Sequence, residues 1–256
     1  MAVKLAKRFD AHLIGLYTEE PAHMPDAIAG RGAALGYLAE ETKIANATAG
    51  DIGQEFADYC KANQTSAEYF CEVGIHLDLL VKYAPFADLV IISQSHEQSF
   101  EDKLRLHLPD HLPMVASSPV LVVPYEQAAD HIGRRILIAW KPTPESGRAV
   151  GYAIPFLKVA EKVTILTINP PDHDDTAAGA AIATRLARHG IEVEKQSRLA
   201  RSHQSMGQII CQTAIDLDCD LVVMGAYGRS RLRELFLGGT THYTLAHTKV
   251  PLLMSH

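Results

Sequence analysis

The sequence lacks the basic excess and the long apolar run that nucleic-acid binding and membrane insertion require. Its 256 residues carry 24 Lys and Arg against 30 Asp and Glu, a formal net charge of −6. A protein that covers phosphate backbones needs a basic face, so this balance argues against a nucleic-acid partner. No stretch approaches the roughly 20 consecutive apolar residues of a transmembrane helix, and the first ten residues do not fit a secretory signal. We therefore expect a cytoplasmic protein without a membrane partner.

Motifs for covalent, redox or metal chemistry are also missing. The four cysteines show no C-x-x-C spacing, which predicts reduced thiols. There is no G-x-S-x-G nucleophile elbow and no G-x-x-x-x-G-K-[ST] phosphate loop. The sequence therefore predicts a binding protein, with no catalytic residue and no metal ligands, rather than an enzyme.

A glycine-rich segment after a short apolar run is the most informative pattern that is present. Asp220–Met224 has the length and β-branched content of a buried strand, and Gly225 to Thr241 then reads GAYGRSRLRELFLGGTT. Glycine lets backbone N–H groups approach an anion without an intervening Cβ, and a helix N-terminus adds unsatisfied N–H donors. A strand end, a turn and a helix boundary would explain single glycines equally well. The full spacing, with two threonines opening a helix, favours a phosphate-binding loop.

This spacing resembles the C-terminal nucleotide loop of the universal stress protein (UspA-type) family, which reads G-x2-G-x9-G-[S/T]. The closing segment Val250–His256 is similar to the last strand of that family. The resemblance implies an α/β, Rossmann-like (adenine nucleotide alpha-hydrolase-like) fold, a role in stress response and ATP as ligand, with Mg²⁺ left open. The nucleotide-binding residues that it implies are Lys141, Thr143, Ile168, Gly225, Gly228, Arg229, Gly238, Gly239, Thr240 and Thr241.

Two positions depart from the family pattern. Family members usually carry an Asp at the end of the first strand, whereas this chain has Lys141 there. The change removes a carboxylate for ribose or metal but brings an ammonium toward a phosphate; an exposed loop lysine is the alternative interpretation. The usual Ser or Thr after the third glycine is Gly239, so Thr240 or the backbone N–H groups alone would take its place. Trp140 either stacks on the base or packs in the core, and the core is favoured.

The chain contains an internal duplication. Ala87–Ile92 matches Cys219–Met224 132 residues later, and the same offset places Ser118–Val122 on Val250–Met254. One offset over two strands and the helix between them indicates a repeated domain. We predict two tandem, doubly wound parallel-sheet domains, at residues 1–125 and 134–256.

The second repeat is complete and the first is not. His12–Tyr17 corresponds to Val163–Ile168, so roughly twenty residues with strand 1 and the start of its helix have no counterpart in the first repeat. In a doubly wound sheet that strand is interior, so its absence leaves a gap. We expect a truncated first domain, from a shortened chain or a misplaced start. Other predicted elements are a helix over 45–62, helices over 145–160 (interrupted by Pro155), 176–189 and 205–217, and strands over 135–140, 163–168 and 191–195.

The first repeat also lacks the glycines of the loop. The positions of Gly225 and Gly228 fall on Ser93 and His96, and that of Gly239 falls on His107. We therefore predict that this half has lost its nucleotide site. A metal site of His96, His107 and His111 is a weak alternative, because Pro109 interrupts the helical spacing and no nearby Cys completes a tetrahedral set.

Family members commonly pair through their final strands. The resemblance therefore implies that Val120–Val123 and Pro251–Met254 meet within one chain, as a pseudo-dimer that covers two sheet edges, with a further homodimer left open. Three hypotheses for function follow. The protein is a nucleotide-sensing module, a scaffold that acts through protein–protein contacts without nucleotide, or a slow metal-dependent ATP hydrolase.

Overall fold

A computed structural model of the chain describes residues 1–19, 31–95, 108–125, 131–169, 179–201, 203–226 and 239–256. In the long helix that begins at residue 31, side chains are described from residue 36 onward. The chain divides into two compact units, Met1–Lys82 and Tyr83–His256. Within the described ranges, no helix combines the length and apolar content that crossing a bilayer requires.

The first unit is a parallel pair of strands with a long helix. Its elements are α1 (Ala2–Phe9), β1 (Leu13–Glu19), α2 (Arg31–Ala62), β2 (Ala67–Val73) and α3 (His76–Tyr83), whose last residue begins the second unit. The two strands pair in parallel, with Leu13 opposite Ala67.

Two glycines allow α2 to pack closely in this unit. A Cβ on Gly15 of β1 would lie 2.9 Å from the Phe56 ring, and a Cβ on Gly53 would lie 2.7 Å from the Tyr69 ring. The Tyr69 hydroxyl donates to the Ala49 carbonyl of α2 at 2.8 Å. Helix and strands are therefore held by aromatic side chains that fill the space left by glycine.

The second unit is built around one seven-stranded sheet. Its strands are β3 (Val90–Ser93), β4 (Val120–Val123), β5 (Arg135–Trp140), β6 (Lys162–Ile168), β7 (Glu194–Arg198), β8 (Leu221–Gly225) and β9 (Leu252–Ser255). Its α-helices are α4 (Leu108–Val115), α5 (Pro144–Lys158), α6 (Ala180–Ala187), α7 (Met206–Asp216) and α8 (Gly239–His247), and a 3₁₀ turn covers Ala84–Phe86. The strand order is β3-β4-β9-β8-β5-β6-β7.

Parallel pairing dominates this sheet. β9, β8, β5, β6 and β7 are mutually parallel, and β3 is parallel to β4. Leu137, Ile165, Leu221 and Leu252 have no exposed surface. Strands covered on both faces favour uninterrupted apolar runs rather than alternation, which is the composition of these segments. The expected α/β class with parallel sheets is confirmed.

The two repeats meet through their final strands, β4 and β9. These strands pair antiparallel, with Leu121 opposite Leu253 and Val120 opposite Met254. Leu121 and Leu253 are 132 positions apart, so each is the repeat equivalent of the other and a local pseudo-two-fold axis passes through this pair. The expectation that the final strands meet within one chain is confirmed.

A side-chain pair obeys the same symmetry. The Asp110 carboxylate lies 3.2 Å from Nδ1 of His242, again 132 residues apart. Asp110 is 6% exposed. The pair lies between α4 and α8, the equivalent helices that precede β4 and β9. Hydrogen bonding of a buried carboxylate to a facing donor offsets the cost of removing it from water.

Several elements differ from their sequence-based bounds. The third strand of the second repeat is Glu194–Arg198 rather than 191–195. Ile191 is buried but lies before this strand, which is at the edge of the sheet. Pro155 does not interrupt α5, which runs from Pro144 to Lys158. The helix expected over 45–62 begins at Arg31.

The strands of the first repeat divide between two sheets. β1 and β2 form a sheet of their own, whereas β3 and β4 join the strands of the second repeat. In the second repeat, β5 lies between β8 and β6 and links them. No described strand of the first repeat has that position, and the described strands form two separate sheets. The division into domains at residues 1–125 and 134–256 stays a prediction. The two compact units each contain one of the two sheets.

The Leu121–Leu253 pair predicts a large effect of mutation at the pseudo-two-fold axis. Leu253→Ala should lower the free energy of unfolding by about 2–5 kcal/mol, because it leaves a cavity in a fully buried ladder. Leu199→Ala is the matched control, since Leu199 is 60% exposed, and should cost less than about 0.5 kcal/mol. Urea denaturation measures both. Equal effects would contradict the central position of this ladder.

Candidate functional site

The carboxyl ends of β5 and β8 lie side by side where the direction of the sheet reverses. From β5 the chain adds β6 and then β7 on one side, and then crosses to add β8 and β9 on the other. In open α/β sheets, ligands bind outside the carboxyl ends of the strands at such a switch point. Trp140 ends β5 and Gly225 ends β8, so the segments after these two residues border this place.

Helix α5 begins directly after β5. Thr143 is its N-cap, with extended backbone angles, and the Ser146 N–H donates to the Thr143 hydroxyl at 3.4 Å. Pro144 takes the first helical position, where its missing N–H costs nothing. Thr143, expected near the nucleotide, therefore starts the helix that faces β8.

Gly225 allows this helix start to approach the sheet. A Cβ on Gly225 would lie 2.6 Å from the Ser146 amide nitrogen and 2.9 Å from the Glu145 carbonyl carbon. Both contacts involve backbone, which cannot move away as a flexible side chain can. Glycine is required here by packing, whatever ligand the neighbouring loop takes.

Glu145 places a carboxylate in the same contact. The residue is 7% exposed, and its Oε2 has no hydrogen-bond partner within the described part of the chain. Its Oε1 lies 3.9 Å from the Arg148 guanidinium. Burial raises the pKa of this carboxyl, but its own backbone N–H, the Thr143 hydroxyl and the charges of His256 and Arg148 outweigh burial and lower the pKa below 4.5.

The last residues of the chain tie β8, β9 and α5 together. The Ala226 N–H donates to the Ser255 carbonyl at 2.8 Å, and Nδ1 of His256 lies 3.0 Å from the Ala226 carbonyl oxygen. Arg148 Nε donates to the backbone oxygen of His256 at 2.6 Å. Ala226 is fully buried. The first residue after β8 is thus fixed by both neighbouring elements.

Helix α8 begins with Gly239, Thr240 and Thr241. A Cβ on Gly239 would meet no atom of the described residues within 4 Å. Thr241 is 5% exposed, and the Thr240 carbonyl accepts from the Thr244 hydroxyl at 2.8 Å. The expectation that the threonines open a helix is confirmed.

The remaining described candidates follow β5 and β6. Lys141 is exposed directly after β5, and Ile168 is half-buried at the end of β6. Trp140 is half-buried, so its side chain is neither fully packed in the core nor fully exposed for stacking on a base. After Ile168, Asn169 has a positive φ of 50° and its Oδ1 accepts from the Ala200 N–H at 2.7 Å, so the turn at the end of β6 is defined.

Other candidates lie outside the described residues. Gly228, Arg229 and Gly238 of the loop are among them, as are His96 and His107 of the alternative metal site. His111 is half-buried in α4. Among described side chains, no group of three or more His, Cys, Asp and Glu has a metal-binding arrangement.

Sequence reasoning missed Glu145 and gave Thr143 a different role. The run Thr143-Pro144-Glu145 carries a helix-start signal of hydroxyl N-cap, Pro at the first position and an acid in the first turn. This signal was available in the sequence. The proximity of this start to Gly225 was not, since it depends on the pairing of β5 with β8.

A comparison with protein families identifies the family of residues 133–256. Residues 133–256 match the model described as the universal stress protein family. This half of the chain belongs to that family. The recognition made from the glycine spacing is thereby confirmed, and residues 133–256 are called the universal stress domain below. No curated protein matches the sequence.

Solved structures agree with the fold. A universal stress protein from Archaeoglobus fulgidus DSM 4304 is 17% identical with a TM-score of 0.72, over 95% of this chain and 85% of its own. A putative universal stress protein from Pseudomonas aeruginosa UCBPP-PA14 is 18% identical with a TM-score of 0.55, over 94% of this chain and 92% of its own. Another Archaeoglobus fulgidus universal stress protein was solved in complex with dAMP; it is 17% identical with a TM-score of 0.38, over 48% of this chain and 98% of its own. At these identities, the likeness to the first two structures shows the fold alone.

Gly225 and Gly239 of the universal stress domain predict different responses to alanine. Gly225→Ala should lower the free energy of unfolding by about 1–3 kcal/mol, because the new Cβ displaces the start of α5. Gly239→Ala is the matched control and should change stability by less than about 0.5 kcal/mol, because its Cβ meets no atom of the described residues. Urea denaturation separates them. A neutral Gly225→Ala would contradict the close approach.

Glu145 predicts a dependence of stability on pH. Its pKa is lower in the folded than in the unfolded chain, so its ionised form stabilises the fold above pH 4.5, and this contribution is lost as the pH falls below 4.5. Glu145→Gln should be about 1 kcal/mol less stable than wild type at pH 7, as expected for an acid at a helix start, and the gap should narrow toward pH 3.5. The exposed Glu192→Gln controls for lost charge. A gap constant over this range would show that Glu145 ionisation does not support the fold.

Proposed function

We propose that the universal stress domain binds an adenine nucleotide, ATP, at the carboxyl ends of β5 and β8, and that it acts in stress response as a nucleotide-sensing module without turnover. The observation that supports this most strongly is the position of the glycine loop. It follows β8 directly at the reversal point of the sheet, where ligands of open α/β sheets bind.

The residues at this edge suit different parts of the nucleotide. The exposed Lys141 ammonium would pair with a phosphate oxygen by a charge-assisted hydrogen bond. Backbone groups near Ile168 would face the adenine edge. Gly239, Thr240 and Thr241 open α8, whose N-terminus favours an anion, and a Cβ on Gly239 would meet no atom of the described residues. Gly225, Gly228, Arg229 and Gly238 would complete the phosphate loop, and Thr143 would contribute through the start of α5.

Mg²⁺ would bind at this edge of the sheet only together with the phosphates of the nucleotide. Mg²⁺ usually binds proteins through one or two carboxylates together with substrate phosphates. Glu145 supplies one carboxylate oxygen without a hydrogen-bond partner in the described chain, and no further acidic group joins it there in a metal-binding cluster. When bound, the ion would neutralise phosphate charge. Lys141 would take over part of that task, since it occupies the place of the usual acid.

A scaffold without nucleotide is the second candidate. It is favoured by Gly225, because packing against α5 explains this glycine with no ligand. The two candidates share the cytoplasm as their expected location, and all four cysteines are free, as is typical of a reducing compartment.

Nucleotide titration of the full chain distinguishes the candidates. Mass spectrometry of the denatured protein would first identify any nucleotide carried through purification, and calorimetry would then measure ATP binding with and without Mg²⁺. We expect one site per chain. Lys141→Gln should weaken binding about tenfold, the loss of one hydrogen bond to a charged group.

The control is Lys158→Gln, at the opposite end of α5, about 20 Å from Thr143. It should leave the affinity unchanged. Equal weakening by both variants would mean that Lys141 acts only through net charge. Absence of carried nucleotide and of binding at millimolar ATP would leave the scaffold, and steady phosphate release from ATP would point instead to a hydrolase.

A further inference from the structure

Three polar side chains meet at the amino ends of β1 and β2 in the first unit. Nδ1 of His12 lies 2.7 Å from the Ser66 hydroxyl oxygen, and Nε2 of the same ring lies 3.5 Å from Oε1 of Glu68. A hydroxyl, an imidazole and a carboxylate connected in this order form the arrangement that activates a serine as a nucleophile. None of the three residues belongs to the universal stress domain.

The pairing of the two strands brings these residues together. Leu13 lies opposite Ala67, and the Leu13 N–H donates to the Ser66 carbonyl at 2.9 Å. The residues that directly precede the two strands, His12 and Ser66, are therefore neighbours as well. Successive side chains of a strand point to opposite faces of the sheet, so Glu68, two residues after Ser66, lies on the same face.

This face of the sheet is the one opposite α2. Tyr69 projects toward α2, where its hydroxyl donates to the Ala49 carbonyl at 2.8 Å, so Ser66 and Glu68 project the other way. All three side chains of the cluster are exposed. Phe70, the next residue on this face, is 40% exposed. A small ester can therefore reach the serine hydroxyl, and its apolar part can contact an aromatic ring.

The Glu68 carboxylate determines which ring nitrogen of His12 carries the proton. A carboxylate only accepts hydrogen bonds, so it favours the proton on Nε2, the nitrogen that faces it. Nδ1 then has a lone pair, which accepts from the Ser66 hydroxyl. In this tautomer, a neutral histidine is ready to take up the serine proton as a base.

We propose that Ser66 is a nucleophile that is acylated by activated carboxylic esters, with His12 as its base and Glu68 as the residue that positions the ring. The Ser66 oxygen bonds to the carbonyl carbon of the ester while its proton passes to Nδ1 of His12. The bond from this carbon to the alcohol oxygen then breaks, and the alcohol leaves with the proton from His12. The products are acyl-Ser66 and the free alcohol, and nothing is oxidised or reduced.

The backbone offers a donor for the oxyanion that forms during this step. Among the described residues, the Ser66 N–H has no backbone acceptor. The N–H of the nucleophile's own residue is a usual donor to such an oxyanion. Because the face is exposed, water supplies the remaining hydrogen bonds. We therefore expect slow acylation, which favours esters with a good leaving group.

The test follows acylation of the full chain by p-nitrophenyl acetate, an activated ester whose phenolate product is coloured. Lysine amines also react with this ester, so mass spectrometry of peptides must locate the acetyl group. We expect it at Ser66, with one nitrophenolate released per chain in the first phase of the reaction. Ser66→Ala should remove this phase. Ser117→Ala, which removes another exposed hydroxyl, should leave it.

His12→Gln separates a base from a hydrogen-bonding residue. Glutamine keeps a polar side chain beside Ser66 but cannot take up its proton, so acetylation of Ser66 should be about 100-fold slower. Urea denaturation of each variant shows whether folded chains are compared. If the variant does not fold, the location of the acetyl group in the wild type decides alone.

Glu68→Gln tests the positioning of the ring. An exposed ion pair is weak and is screened by salt, so this variant should react about fivefold more slowly at low ionic strength. The difference from wild type should disappear in about 1 M NaCl. A purely structural Glu68 would give a difference that does not depend on salt.

Three outcomes would overturn the proposal. The first is acetylation of other residues with none at Ser66. The second is acetylation of Ser66 at the wild-type rate in a folded His12→Gln variant. The third is a salt-independent effect of Glu68→Gln, which would remove its positioning role. None of these outcomes depends on ATP, so the proposal fails or stands separately from nucleotide binding.

Discussion

The antiparallel ladder between β4 and β9 is the interaction on which the second unit depends. It joins strands of two sequence repeats into one sheet, and Leu121 and Leu253, which face each other in the ladder, are fully buried. Each strand would otherwise end a sheet with unpaired backbone groups and an apolar surface. Because the pairing is self-complementary about a pseudo-two-fold axis, each repeat covers the final strand of the other with its own, and Asp110 and His242 extend the symmetry to the helices.

The same symmetry reveals where the repeats differ. In the second repeat β5 lies at the centre, pairs with both β8 and β6, and carries the start of α5 to Gly225. In the first repeat no described strand takes that place, so β1 and β2 separate from β3 and β4. One central strand thus decides two properties together. It holds the sheet in one piece, and it creates the reversal point beside which the glycine loop lies.

The candidate site combines requirements of packing with those of binding. Gly225 is needed for the approach of α5 and Thr143 for its N-cap, while Lys141 and Gly239 are exposed. Glu145 adds a buried carboxylate at the edge where we propose that the phosphates bind. A carboxylate and an ammonium at one sheet edge make the affinity for a phosphate depend on how their charges balance, which sequence patterns do not report.

The family of residues 133–256 and most of the helices and strands could be predicted from the amino-acid sequence, which also contains the internal match at an offset of 132. Glycine spacing, β-branched runs and the constant offset of 132 are local or periodic features, and they indicate local structure directly. Boundaries that depend on neighbours were less accurate, as in β7, which begins at Glu194. Three features could not be predicted in this way: Leu121 faces Leu253 in register, Gly225 contacts the start of α5, and β3 ends the described sheet. These facts depend on which strands pair, and pairing brings together residues that no local pattern in the chain connects.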